Sequence, residues 1–119
     1  MKIKVANYIS QFLVDHGVTD AFSVVGGGAM HLNDAFGHQE GLHTTYNHHE
    51  QACAIAAEAY ARLENKIALV CVTSGPGGIN ALTGVCGGWE YQQEHQAKQG
   101  PVCLLLQGAK PFRKHSGYP

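Results

Sequence analysis

The chain has 119 residues, 45% of them hydrophobic, with 8 basic and 9 acidic side chains and a formal net charge of -1. At about 150 residues per domain this is one domain with room for a core, and a charged fraction of 14% excludes the low-hydrophobicity, high-charge composition of a disordered chain. With no basic excess the sequence predicts no nucleic-acid partner and no polybasic membrane patch, and no apolar run approaches the ~20 residues of a spanning helix.

Residues 3–15 (IKVANYISQFLVD) place Val5, Ile9, Phe12 and Leu13 at helical spacing, and Gly17 supplies a stop. AFSVV (21–25) reads as a short strand ending in three glycines, and AMHLNDAF (29–36) as a short helix. LHTTY (42–46) is β-branched and aromatic, which predicts a second strand. Residues 48–63, rich in Ala and Glu, form the clearest helix. IALVCVT (67–73) is a continuous apolar run, as for a strand buried on both faces. Pro76 opens another helix to about Gly87, and VCLLLQ (102–107) is a fourth strand. Strands alternating with helices predict an α/β fold: a three-layer open sheet of about four strands, mostly parallel, with helices on both faces. The crossovers are expected to be right-handed.

Residues 90–100 (EYQQEHQAKQG) are polar and Gln-rich, either a solvated loop or a helix extension, and 111–119 read as a tail. The last strand has nothing after it to cover its far side, so the chain is expected to be part of a larger unit. Cys53, Cys71, Cys86 and Cys103 are far apart in small or apolar surroundings, without C-x-x-C. They read as reduced, buried thiols of a cytoplasmic protein. The N-terminus has no long apolar stretch, so no secretory leader is expected.

In open parallel sheets ligands bind beyond the carboxyl ends of the strands. Three unusual loops fall there: Gly26-Gly27-Gly28-Ala29, Tyr46-Asn47-His48-His49-Glu50, and Thr73 through Asn80 (TSGPGGIN). The glycines have a plain reading as turn residues. His31 breaks a dinucleotide fingerprint and Ile79 stands where a P-loop needs Lys, so neither nucleotide motif is present. The loops are better suited to admitting a flat ring close to the backbone.

Glu50 also has two readings. Asn47 as N-cap with Glu50 three residues on would form a capping box. Alternatively, Cys53, Ala54 and Ala57 on its helical face make the carboxyl desolvated, which raises its pKa and suits proton transfer. The helix dipole favours the ionised form and opposes this. His49 and Cys53 could touch one metal, but no third ligand has a recognisable spacing and no metal site is expected in this chain. His48 and His49 otherwise read as polar residues at a helix start or a pocket mouth. Ser74 lies in T-S-G-P-G, not in a nucleophile elbow.

Together NHHEQA (47–52) with the helix ending AEAYAR, VTSGPGGINALTGV (72–85) and VVGGGAMHLND (24–34) resemble thiamine-diphosphate-dependent enzymes, specifically the N-terminal pyrimidine-binding domain of the acetolactate synthase-like group. The resemblance spans roughly residues 1–89, and implies a partial domain over 1–110 with an atypical insert at 90–100. It implies that Glu50 hydrogen-bonds N1′ of the aminopyrimidine and favours its imino tautomer. The 4′-imino group then removes the thiazolium C2 proton, and the ylide attacks a 2-oxo acid with the cofactor as electron sink. By the same resemblance Gly26, Gly27, Gly28 and Ala29 lie along the ring, and Thr73, Ser74, Pro76 and Asn80 belong to the stretch beside it. His49 is an active-site histidine near the substrate, and Gln107 a glutamine at the end of the fourth strand.

The family's G-D-G…N-N signature, which holds Mg²⁺ and the diphosphate, is not in this sequence. The resemblance therefore implies a diphosphate-binding domain elsewhere, on another chain or a missing portion, and a homo-oligomer with the cofactor between chains. Three readings stand: a truncated piece, or the product of a disrupted gene, of an acetolactate synthase-like carboligase or decarboxylase, inactive alone; a natural small subunit of a split 2-oxo acid decarboxylase; or a non-catalytic interaction module of the same fold.

Overall fold

A computed structural model describes residues 2–95 and 103–107. In chain order the elements are α1 (Val5–Asp15), β1 (Asp20–Ser23), a 3-10 turn (Gly27–Ala29), α2 (Met30–His38), β2 (His43–Tyr46), α3 (Glu50–Glu64), β3 (Leu69–Thr73), α4 (Pro76–His95) and β4 (Cys103–Gln107). The described strands form one sheet in the order β2-β1-β3-β4, and every neighbouring pair is parallel.

Alternation along the strands divides the core into two layers. Ala21, Leu69 and Cys71 face α1 and α2, packing with Leu32 and Phe36 and with the half-buried Ile9 and Leu13. Ala68, Val70 and Val72 face the other way, against Cys53, Ala54, Ala57 and Ala61 of α3 and Ala81 of α4. Period-two alternation on a strand covered on both sides produces the unbroken apolar run at β3. The expected three-layer α/β sheet is the observed one.

Boundaries differ in instructive ways. β1 starts at Asp20 and ends at Ser23, so Val24 and Val25 belong to the loop that follows. α1 ends where Gly17 turns at φ 84, a left-handed conformation that glycine adopts without cost. α4 continues through the polar segment to His95, so helix extension is the correct reading for residues 90–95. Residues 96–102 and the 111–119 tail lie outside the described residues. Cys53 and Cys71 are buried thiols, but Cys86 is exposed, because it falls on the outer side of α4. No described helix is long and apolar enough to cross a membrane.

Candidate functional site

The order β2-β1-β3-β4 reverses direction between β1 and β3, the position where open α/β sheets form a ligand crevice. The loops after β1 and β3 flank it. On the β1 side Ala29 is fully buried and its N–H bonds the Gly26 carbonyl at 3.1 Å. That anchors the glycine turn while leaving Gly26, Gly27 and Gly28 exposed. A side chain at Gly26 or Gly27 would meet nothing within 4 Å, so the backbone there is open to a flat group. Val25, Gly26, Gly27, Met30 and Asn33 line a shallow cleft of about 250 Å³.

Buried polar contacts fix the floor of this cleft. Ser23 Oγ lies 2.7 Å from Asn33 Oδ1 and 2.8 Å from the Cys71 carbonyl. One hydroxyl proton cannot serve both acceptors. Exchanging the two ends of the Asn33 amide resolves this, and it also gives a partner to a buried Nδ2 that otherwise has none. The bridge ties β1, α2 and β3 directly beneath the glycine turn.

Glu50 is the first residue of α3, and the capping box expected with Asn47 does not form. His49 is the N-cap, its ring nitrogen accepting the Gln51 N–H at 3.1 Å. Asn47 instead donates its backbone N–H to Ser23 at 2.8 Å and its side-chain amide to the Cys53 sulfur at 3.4 Å. The chain leaves β2 still paired to β1, so it cannot turn into a helix until His49.

The Glu50 carboxylate reaches across to the first turn of α4, where Asn80 Nδ2 donates to Oε2 at 3.0 Å. Oε1 stands over Gly77, whose missing Cβ would lie 3.2 Å from it and 2.9 Å from Thr73 Cγ2. The hydrogen bond from Asn80, and one from Glu50's own backbone, hold this carboxyl below its ordinary pKa, outweighing partial burial. The expected rise is thus overturned. Cys53, Ala54 and Ala57 are buried beneath α3, but the carboxyl extends away from them to polar donors. Glu50 is half-buried at the rim rather than enclosed.

The third loop positions Asn80. Gly75 turns at φ 73, which a side chain would strain. Pro76 then begins α4, where a missing N–H costs nothing, and the Ile79 N–H reaches the Gly75 carbonyl at 3.1 Å. Thr73 and Ser74 are half-buried at the end of β3, and Pro76 and Asn80 are exposed. Gln107 pairs in register with Thr73, placing β4's end beside this loop. His48 and His49 are exposed at the start of α3. Among the described residues no group of three or more His, Cys, Asp or Glu side chains could hold a metal ion.

The sequence marks Gly77 only as a loop glycine and does not single out Gly84. A Cβ on Gly84 would fall 2.6 Å from the Ala54 carbonyl carbon and 2.7 Å from Ile55 N, so α4 lies directly on the backbone of α3. Glycine inside a helix is unfavourable by ~1 kcal/mol relative to alanine, and that cost was the available signal of close approach.

An aminopyrimidine ring needs a carboxylate for its ring nitrogen and an open surface for its face. Glu50 supplies the first and the Gly26–Gly27 backbone the second, so these residues fit that half of thiamine diphosphate. Such a fold and edge define an α/β domain with a crevice open to a flat nitrogen heterocycle. Comparison with known proteins narrows this. Residues 3–94 match the family described as thiamine pyrophosphate enzyme, N-terminal TPP binding domain. The chain is 34% identical over 113 residues to the acetolactate synthase large subunit of Haemophilus influenzae, covering 95% of this chain and 20% of that protein. It is 40% identical over 77 residues to the large subunit from Lactococcus lactis, covering 65% of this chain and 13% of that one. To the isozyme 3 large subunit of Escherichia coli it is 31% identical over 109 residues, 92% of this chain and 19% of that protein. The chain belongs to the thiamine pyrophosphate enzyme N-terminal TPP-binding domain family. It spans about 20% of the length of the first of these relatives.

Proposed function

We propose that this chain supplies the aminopyrimidine half of a thiamine diphosphate site. Together with a diphosphate-binding domain it acts on 2-oxo acids in acetolactate synthase-like carboligation or decarboxylation. The observation that carries this reading is the Glu50 carboxylate at the carboxyl edge of the sheet, held by Asn80 at 3.0 Å with glycine turns at the same edge. When bound, thiamine diphosphate supplies the nucleophilic carbon and the electron sink. Glu50 presents an ionised acceptor to a ring N–H and exchanges a proton there. Gly26, Gly27, Gly28 and Ala29 bear on the ring's face, Thr73, Ser74 and Pro76 border it, and Asn80 of the same stretch holds Glu50. His49 faces the substrate side, and Gln107 stands at the far border of the crevice. Mg²⁺ and the diphosphate fall to the other domain, so the complete site requires association, as in a homo-oligomer. The setting is cytoplasmic.

The test is a chimera in which this chain replaces the matching N-terminal part of the Haemophilus influenzae large subunit. The expected result is carbon–carbon bond formation from a 2-oxo acid, reduced at least ~100-fold by Glu50→Gln, in line with losing an acid–base group. A folded chimera whose Glu50→Gln form keeps full activity would leave only a scaffolding role.

A further inference from the structure

Glu50 is the first residue of α3, yet its side chain is fixed from α4. Asn80 donates to Oε2 at 3.0 Å, and the carboxylate occupies space that any side chain at Gly77 would take, with Oε1 at 3.2 Å from that Cβ position. Asn80 is itself placed by the turn at Gly75 and the first helical bond of α4, Ile79 N–H to the Gly75 carbonyl at 3.1 Å. The two helices meet closely further along, at Gly84 and Ala54, so the donor and the carboxylate are carried on elements locked together.

We infer that Asn80 is a positioning residue: it acts through Glu50, orienting the carboxylate and keeping it an acceptor, rather than by touching the heterocycle itself. The assignment rests on the proposed cofactor reading for its consequence, but not for its geometry. With Oε2 accepting the Asn80 amide and a further hydrogen bond coming from Glu50's own backbone, the carboxylate still has lone pairs to accept another N–H donor. A carboxylate held this way recognises a ring nitrogen that carries a proton. It accepts that proton's hydrogen bond, and no bond is made or broken in Asn80. Among the described residues, few other charged or titratable groups bear on Glu50. His49 on its own helix favours the ionised form, and the Cys53 thiol, one turn on, feels the Glu50 charge. From α4 the facing group is Asn80, and the Thr73 methyl of β3 lies with Oε1 around the Gly77 Cβ position.

The test is carboxyl ¹³C NMR of the full chain, labelled at glutamate, across an acid titration. The Glu50 midpoint is expected below the ordinary 4.5. Asn80→Ala should move it upward, and the isosteric Asn80→Asp should move it further, since a second carboxylate replaces the donor. Asn80 is exposed, so both variants should keep the wild-type amide spectrum, which serves as the folding check. An unchanged Glu50 midpoint in both folded variants overturns the inference. The same substitutions in the chimera read the other half. If the midpoint moves but affinity for thiamine diphosphate does not, Asn80 positions Glu50 and the cofactor reading fails instead.

Discussion

Replacing Gly84 with alanine tests how α3 and α4 are held together. The added Cβ would sit 2.6 Å from both the carbonyl carbon and the Cβ of Ala54, and 2.7 Å from Ile55 N. Ordinary carbon contacts lie near ~3.5–4.0 Å, so α4 must withdraw by about 1 Å. Overpacking of this kind costs ~1–3 kcal/mol, while alanine recovers ~1 kcal/mol of helix propensity. The net expectation is a loss of ~0–2 kcal/mol, against a gain where no clash occurs. In a domain of this size each kcal/mol moves Tm by ~4–8 °C, so thermal unfolding followed by circular dichroism should show no rise and a drop of up to roughly 15 °C. Gly87→Ala is the internal control. It lies on the same helix, but its Cβ would meet nothing within 4 Å, so only the propensity gain remains and Tm should rise. A double change, Gly84→Ala with Ala54→Gly, should not restore stability, because the clash includes backbone atoms that glycine keeps. If Gly84→Ala were as stabilising as Gly87→Ala, the close approach of the two helices would be refuted.

Gly75→Ala should destabilise by about 1 kcal/mol from backbone strain alone, because φ is 73 there and no atom lies within 4 Å of the new Cβ; chemical denaturation measures it. Asn65, which ends α3 at φ 53, should lose a similar amount on replacement by alanine, with the same readout. Tyr60→Phe removes a hydroxyl that donates to Asp20 at 2.5 Å. Burial raises the Asp20 pKa, but hydrogen bonds from Tyr60 and Thr19 and the nearby His43 bring it below 3.8. The stability from Asp20 is therefore present above 3.8 and is lost as pH falls through the lower folded value. Tyr60 is raised above 10 chiefly by the Asp20 hydrogen bond, so its share is present below 10 and lost on the alkaline side. The Phe variant should flatten both limbs of a stability–pH curve, and unchanged limbs would count against the contact. Isothermal titration of the isolated chain with thiamine diphosphate and Mg²⁺ should show no micromolar binding, because this half of the site offers only a ring's worth of contacts; micromolar uptake would contradict that division of the site.

The sequence by itself determined the layered fold and the set of loops at the carboxyl edge. Apolar runs such as 69–73, bounded by turns and alternating with alanine-rich helix, admit few arrangements other than a buried parallel sheet, and the motifs around Glu50, Gly26 and Pro76 were legible as short-range patterns. Tertiary structure alone decided the character of Glu50. Its own helix face, Cys53 and Ala54, suggested desolvation and a raised pKa. The partner that governs it, Asn80, lies thirty residues away on another helix, and no local pattern encodes that meeting. The same holds for the cap: pairing of β2 to β1 postpones the start of α3 to Glu50 and passes the capping role from Asn47 to His49. Gly77 and Gly84 carry the remaining lesson. A glycine in a helix leaves room for close approach, but only the packed structure shows that a carboxylate uses it at Gly77, a neighbouring backbone at Gly84, and nothing at Gly87.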